Sequence, residues 1–216
     1  MGRSDTIKEK SGKRTLLASV VLSSPGPIVV GIGLLLGRSS TQFADFIRRT
    51  AELAAIIVSW IVFNMTHKDG VEDTERKVKL ENIANLCVGA AMCLSGMAIL
   101  LIAFISYGNE KGNVIPGLVI AVLGVITNSW FWLRYHKLNS VSPNAILAVQ
   151  SKLYRAKSFV DACVMIALAA IVIAPDSRAV LYMDAAGSAA VSVYLLLTGF
   201  TTVFGKRNLK AGSYVV

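Results

Sequence analysis

FADFIRRTAELAAIIVSWIVFNMTH occupies Phe43–His67, and the reading of this stretch decides the fold. Its second half is apolar enough to sit in lipid. Its first half carries Asp45, Arg48, Arg49 and Glu52. A charge in a spanning helix costs ~2.5 kcal/mol or more, so such residues are rare and face the protein interior or a water-filled cavity. Arg48 and Glu52 stand four residues apart and share one helical face. A second segment answers the first. RAKSFVDACVMIALAAIVIA, Arg155–Ala174, carries Lys157 and Asp161 at the same spacing. The two stretches predict an all-α polytopic membrane protein, a bundle built around two charged helices.

Composition agrees. Of 216 residues, 54% are hydrophobic and 16% charged. A soluble domain is typically about 45–50% apolar even with Gly counted. Cys87, Cys93 and Cys163 all lie in apolar segments, with no zinc-ribbon or disulfide spacing, and read as small buried side chains. The net charge of +9 does not point to nucleic acid, because no basic patch is interleaved with stacking aromatics. There is no P-loop, no G-x-S-x-G and no H-E-x-x-H, so no enzyme activity and no cofactor are expected.

Taken in order, a basic segment (residues 1–14) precedes six predicted helices within residues 15–205, and a short tail (206–216) follows. The first helix is Thr15–Gly37, kinked at Pro25–Pro27 because an internal Pro removes a backbone hydrogen bond. The second is Phe43–His67, and a charged loop covers Lys68–Glu81. The third is Asn82–Tyr107, followed by the turn Gly108–Asn113. The fourth is Val114–Tyr135, whose Trp130, Trp132 and Tyr135 suit an interfacial aromatic belt. Asn139–Asn144 predicts a turn. The fifth helix, Ala145–Ala174, is longer than the ~20 residues that span a bilayer. Its polar first half therefore projects into the cytoplasm or lines a cavity. The sixth is Val180–Phe204. Small residues recur on the third helix (Gly89, Ala90, Ala91, Ser95, Gly96) and on the sixth (Ala185–Ala190). They allow close helix approach, either within the chain or at a homodimer seam.

Charge sets the orientation. The first 14 residues hold five Lys or Arg, and the next loop on that side holds Lys68, Arg76, Lys77 and Lys79. Arg134 and Lys137 follow, then Lys206, Arg207 and Lys210 in the tail. The alternate connections hold one each: Arg38, Lys111 and Arg178. This positive-inside pattern predicts six spans with both termini cytoplasmic, in the plasma (inner) membrane.

These residues resemble the cation diffusion facilitator family, six-helix divalent-cation/proton antiporters that are usually homodimers. The family pattern has a Gly-Ser start and then A-D-A-x-H-x-x-x-D. GRSSTQFADFIRRTAE matches it at Gly37, Ser39, Ala44 and Asp45. Arg48 stands where the family has a metal ligand, and Glu52 stands on the family's Asp. RKVKLE keeps Lys79 and Glu81 of the family's next loop. VLGVITNSWFWLRYHK has the family's Asn as Asn128, and Ser142-Pro143 opens the fifth helix as in the family. Lys157-x-x-x-Asp161 replaces the family's H-x-x-x-D, and Asp184 opens the sixth helix. The tail is too short for the family's cytoplasmic metal-sensing domain.

The resemblance implies a secondary transporter of a small ion or small molecule, with the lipid bilayer and a second copy as partners. Its substrate pathway would run through Asp45, Arg48, Glu52, Lys157 and Asp161, with Arg49, Asn128 and Arg155 as secondary candidates. Two His and two Asp with a divalent metal sum to zero charge. Arg48, Glu52, Lys157 and Asp161 also sum to zero, with no metal. The expected centre is therefore a set of ion pairs between the second and fifth helices, with no resident metal. Proton-coupled divalent-cation efflux is the first functional reading. An anionic or zwitterionic substrate, or a non-transporting membrane partner held shut by its ion pairs, is the alternative.

Overall fold

The computed structural model describes residues 2–36, 40–66, 74–105, 115–173 and 178–204. Side chains are described within these ranges except at 2–9, 33–36, 40–45, 74, 105, 116–117 and 178–185. Seven helices fill the described residues: α1 (Gly2–Ser23), α2 (Pro25–Leu36), α3 (Ser40–Thr66), α4 (Thr74–Ile105), α5 (Ile115–Val141), α6 (Ala145–Ile173) and α7 (Arg178–Phe204). Five stretches are long and apolar enough to cross a membrane: Lys10–Ile32, Glu75–Phe104, Leu118–Val141, Ala145–Ile173 and Ala186–Phe204. The first of these joins α1 and α2, so the bundle has six rods. α3 falls outside the five because its first half carries Arg48, Arg49 and Glu52.

The predicted kink is a break at Ser24. Pro25 has no N–H to give to the carbonyl of Val21, four residues back. The Ser24 hydroxyl takes over that bond, Oγ to Val21 O at 2.9 Å. A hydroxyl substituting for a missing backbone donor is what lets Pro persist in a lipid-exposed helix.

Three helix boundaries differ from the sequence reading. α4 begins at Thr74, so part of the predicted charged loop is helix. Its acids and bases alternate at helical spacing, and Glu75–Lys79 pair at 2.8 Å. α5 runs past Tyr135 to Val141, which compresses the turn at 139–144. Pro143 disfavours helix in the residue before it, and Asn144 then caps α6. Asn144 Oδ1 accepts from the backbone N of Ile146 at 2.9 Å and of Leu147 at 3.3 Å. α1 extends back to Gly2, through the predicted basic segment.

The core lies between α1, α3, α4, α5, α6 and α7. Phe131, Tyr135 and Tyr154 form an aromatic layer, with the Tyr154 ring centroid 4.9 Å from Phe131 and 5.5 Å from Tyr135. Tyr135 is therefore not a belt residue. It lies on the inward stripe with Phe131, four residues away, and is fully buried. Its hydroxyl donates to Ser19 Oγ at 2.8 Å, tying α5 to α1. Trp130 is exposed, and Trp132 is half-buried against the core. The polar first half of α6 also lies partly inside. Gln150 is buried and donates Nε2 to Ser59 Oγ at 2.8 Å, joining α6 to α3, while Lys152 and Arg155 are exposed.

α4 and α7 meet through glycine. A Cβ on Gly89 would stand 2.9 Å from the Gly199 carbonyl, and one on Gly199 would stand 2.8 Å from the Gly89 carbonyl. A Cβ on Gly96 would stand 3.0 Å from the Ser192 carbonyl. Gly89 and Gly96 thus serve close packing within the chain.

Candidate functional site

Glu52 is the centre of the site. It sits mid-bundle on α3 with 5% of its surface exposed. A carboxylate at that depth needs several donors at once. Glu52 Oε1 accepts from Ser95 Oγ on α4 at 2.8 Å and from Arg48 Nη1 one turn back at 3.4 Å. Glu52 Oε2 pairs with Lys157 Nζ of α6 at 3.2 Å. The ammonium also stands 5.3 Å from the centroid of the Tyr154 ring, within cation–π range. One carboxylate therefore joins three helices and takes two cations.

Asp161 is held separately. Asn128 Nδ2 of α5 donates to Asp161 Oδ2 at 2.6 Å. Lys157 and Asp161 share a helical face, yet Lys157 turns across to Glu52. Gly124, one turn before Asn128, makes room for the carboxylate. A Cβ there would stand 2.5 Å from Asp161 Oδ2.

All four groups face one cavity of about 520 Å³, which Arg49, Gly124, Asn128 and Tyr154 also line. On α5 the cavity follows Ile120–Phe131, and on α6 it follows Tyr154–Leu168. It therefore runs from the charged centre toward the end of the bundle where α5 begins and α6 finishes. At its other end stands the aromatic layer. Tyr154 closes the floor, its hydroxyl 3.2 Å from Ser23 Oγ at the break between α1 and α2.

The structure brings Arg48, Glu52, Lys157, Asp161, Arg49 and Asn128 to this cavity. Arg155 stands apart, exposed, with its Nε donating to Tyr194 of α7 at 3.2 Å. The helix of Asp45 is described, but its side chain lies outside the described residues, as does that of Asp184 and the whole of His67. Ser95, Gly124 and Tyr154 are site residues that sequence reasoning missed. Ser95 stood in a small-residue run that read as packing. Only the register of α4 on α3 gives it a role.

Among the described residues, no three His, Cys, Asp or Glu side chains are grouped to hold a metal. Tetrahedral zinc sites use Cys, His or carboxylate ligands. Here Arg48 and Lys157 supply positive charge beside the carboxylates. The centre as built is a compensated ion-pair cluster that a cation could join only by displacing one of its own cations.

A bundle of apolar helices with paired charges at mid-depth, opening on a cavity from one end, defines an integral membrane protein of the transporter class. The model of the cation efflux transmembrane domain matches residues 16–205, nearly the whole bundle. The chain belongs to that family, the cation diffusion facilitators. No individual curated protein matches it.

Proposed function

We propose that the cavity between α3, α5 and α6 is a transport site for a small cation, which exchanges there with the Lys157 ammonium. The observation that carries this reading is the position of Lys157, 3.2 Å from Glu52 in a cavity that also exposes Asp161. The ammonium occupies the place where a transported cation would find carboxylate oxygen. Arg48, Lys157, Glu52 and Asp161 together carry no net charge. A divalent cation added to them would leave an excess of two charges in a medium of low dielectric, which is costly. Release of the Lys157 proton halves that excess. Divalent-cation movement is thereby tied to proton movement in the opposite sense. Under the positive-inside orientation the cavity faces away from the cytoplasm, both termini are cytoplasmic, and the direction is efflux across the plasma membrane. Two copies assemble as a homodimer.

A second reading rests on Arg49. With Arg48 and Lys157 it lines the cavity with three cationic side chains, groups of the kind that recognise an anionic or zwitterionic substrate.

Proteoliposome flux separates the two. Vesicles carrying a pH-sensitive dye and a metal indicator are challenged with Zn²⁺, Mn²⁺ and organic ions. The expected result is divalent-cation flux with opposed proton flux. Gly124→Ala is expected to reduce it about tenfold or more, since displacement of a site group by an ångström is enough for such losses. The variant should still fold, because the nearest atoms the added methyl meets belong to the carboxyl end of the Asp161 side chain rather than to backbone. Flux of zwitterions or anions alone would favour the second reading, and no flux of any ion would sink both.

Orientation and assembly have their own test. A maleimide that cannot cross membranes should label Lys210→Cys only after the cells are opened. Mass photometry in nanodiscs should give twice the chain mass. Labelling of intact cells would reverse the orientation, and a single-chain mass under all mild conditions would remove the dimer.

A further inference from the structure

A second cleft, of about 550 Å³, lies between α1 and α5 on the opposite face of the aromatic layer from the transport cavity. Lys10 and Arg14 of α1 line it, with Arg134 of α5, two hydroxyl residues (Ser11 and Thr15) and Trp130. Among the described residues, no carboxylate lines it. Lys10 and Arg14 are one turn apart, as are Trp130 and Arg134, so each helix presents one strip to the cleft. Ala18 continues the α1 strip and leaves room between the helices. Arg134 Nη2 donates to Ser11 Oγ at 2.8 Å, which fixes the guanidinium in the wall. A guanidinium has five N–H donors, and this bond uses one.

The depth of the cleft identifies its guest. Lys10 and Arg14 precede the apolar run that continues from Leu16, so the cations stand at the level where water meets lipid. Trp130, 56% exposed, lies at the lip, where its amphipathic ring suits the headgroup layer. Further along the same face of α1 come Leu17 and Val21, and along α5 comes Ile126, all exposed and apolar. The basic end and the apolar strip are continuous. A free anion would use only the first, whereas a lipid would use both.

We propose that this cleft binds the phosphodiester headgroup of an anionic phospholipid, with its acyl chains along Leu17, Val21 and Ile126. The cations outnumber the single negative charge of one phosphodiester. A zwitterionic headgroup would bring a further cation beside Lys10, Arg14 and Arg134, and is disfavoured. Basic pockets between spanning helices on the cytoplasmic side recognise lipid headgroups by this chemistry.

Native mass spectrometry of the full chain tests the assignment. The protein is released from non-ionic micelles doped with phosphatidylglycerol or phosphatidylcholine. Separate arms add inorganic phosphate or glycerol 3-phosphate. The wild type should retain phosphatidylglycerol in preference to phosphatidylcholine, and neither soluble anion should displace it. Arg14→Gln should weaken retention about fivefold, and Lys10→Gln with Arg14→Gln on the order of 25-fold, since each basic residue near the membrane surface adds about that factor. Both side chains are exposed, so folding is not at risk. Lys137→Gln with Lys152→Gln removes the same charge from exposed positions outside the cleft and should leave retention unchanged. The proposal is overturned if the two lipids are retained alike or if both double variants lose lipid equally. Displacement of phosphatidylglycerol by a soluble anion would overturn it too, by making the cleft a free-anion site.

Discussion

Glu52→Gln is expected to destabilise the purified protein by about 3–5 kcal/mol, the usual cost of removing one partner from a buried ion pair. Arg48 and Lys157 would both lose the carboxylate they share, and the centre would be left with one positive charge in excess. Lys157→Met alone errs in the other sense, because Glu52 would keep only Arg48 and Ser95. The two changes together restore neutrality. Arg48 then stands against Asp161, which is still held by Asn128. The double variant should therefore recover more than half of the loss shown by Glu52→Gln. Unfolding in mixed micelles of rising SDS fraction gives the four corners of the cycle. Additive losses would show that Lys157 and Glu52 are not coupled, and the ion-pair account of the centre would fail.

The second large effect belongs to the α4–α7 seam. At Gly89 and Gly199 each backbone carbonyl occupies the space that the other residue's Cβ would need. Backbone cannot rotate away as a side chain can. Gly89→Leu or Gly199→Leu must separate the helices, at about 3 kcal/mol or more. Gly187, also on α7, has nothing within 4 Å of where its Cβ would be. Gly187→Leu should leave the unfolding of a single chain within about 0.5 kcal/mol. SDS unfolding of the three variants measures the contrast. If Gly89→Leu proves as mild as Gly187→Leu, the close approach of α4 and α7 is wrong. If Gly187→Leu instead abolishes a dimer while sparing the fold, that face of α7 is the intermolecular seam.

Much of this architecture was legible in the chain. Pro25 and Pro27 marked the break, and periodic charge marked Arg48, Glu52, Lys157 and Asp161 as inward-facing. The partners of those charges were not legible. Spacing favoured Arg48–Glu52 and Lys157–Asp161 equally with the cross-helix pairs. The choice between Asp161 and Glu52 for Lys157 depends on how α6 lies against α3, and no local pattern carries that. The same holds for Ser95 and for Gly124, whose roles exist only once α4 and α5 are in register with the charged helices. The start of α4 differs from the sequence expectation for another reason. Charge density suggests a loop, whereas Glu75 and Lys79 at helical spacing support a helix that continues beyond its apolar span.

The interruption at Ser24 has a mechanical consequence. To lipid, α1 and α2 are a single rod. To the protein they belong to different neighbours. α1 is fastened to α5 through Tyr135 and Ser19. α2 leans on α3, where Gly26 meets Arg49 and Gly31 meets Phe46. A continuous helix would transmit any tilt of α3 to α5 as through a stiff beam. Pro25 and Pro27, with Gly26 between them, remove backbone bonds that would give the beam its stiffness, and the Ser24 hydroxyl, a rotatable donor, replaces one of them. The joint is thus compliant in bending yet keeps its polar groups satisfied. It lies beside the floor of the cavity, where Ser23 meets Tyr154. A rocking of α3 against α5 would be absorbed there, at the hinge nearest the charges that such a movement would have to part.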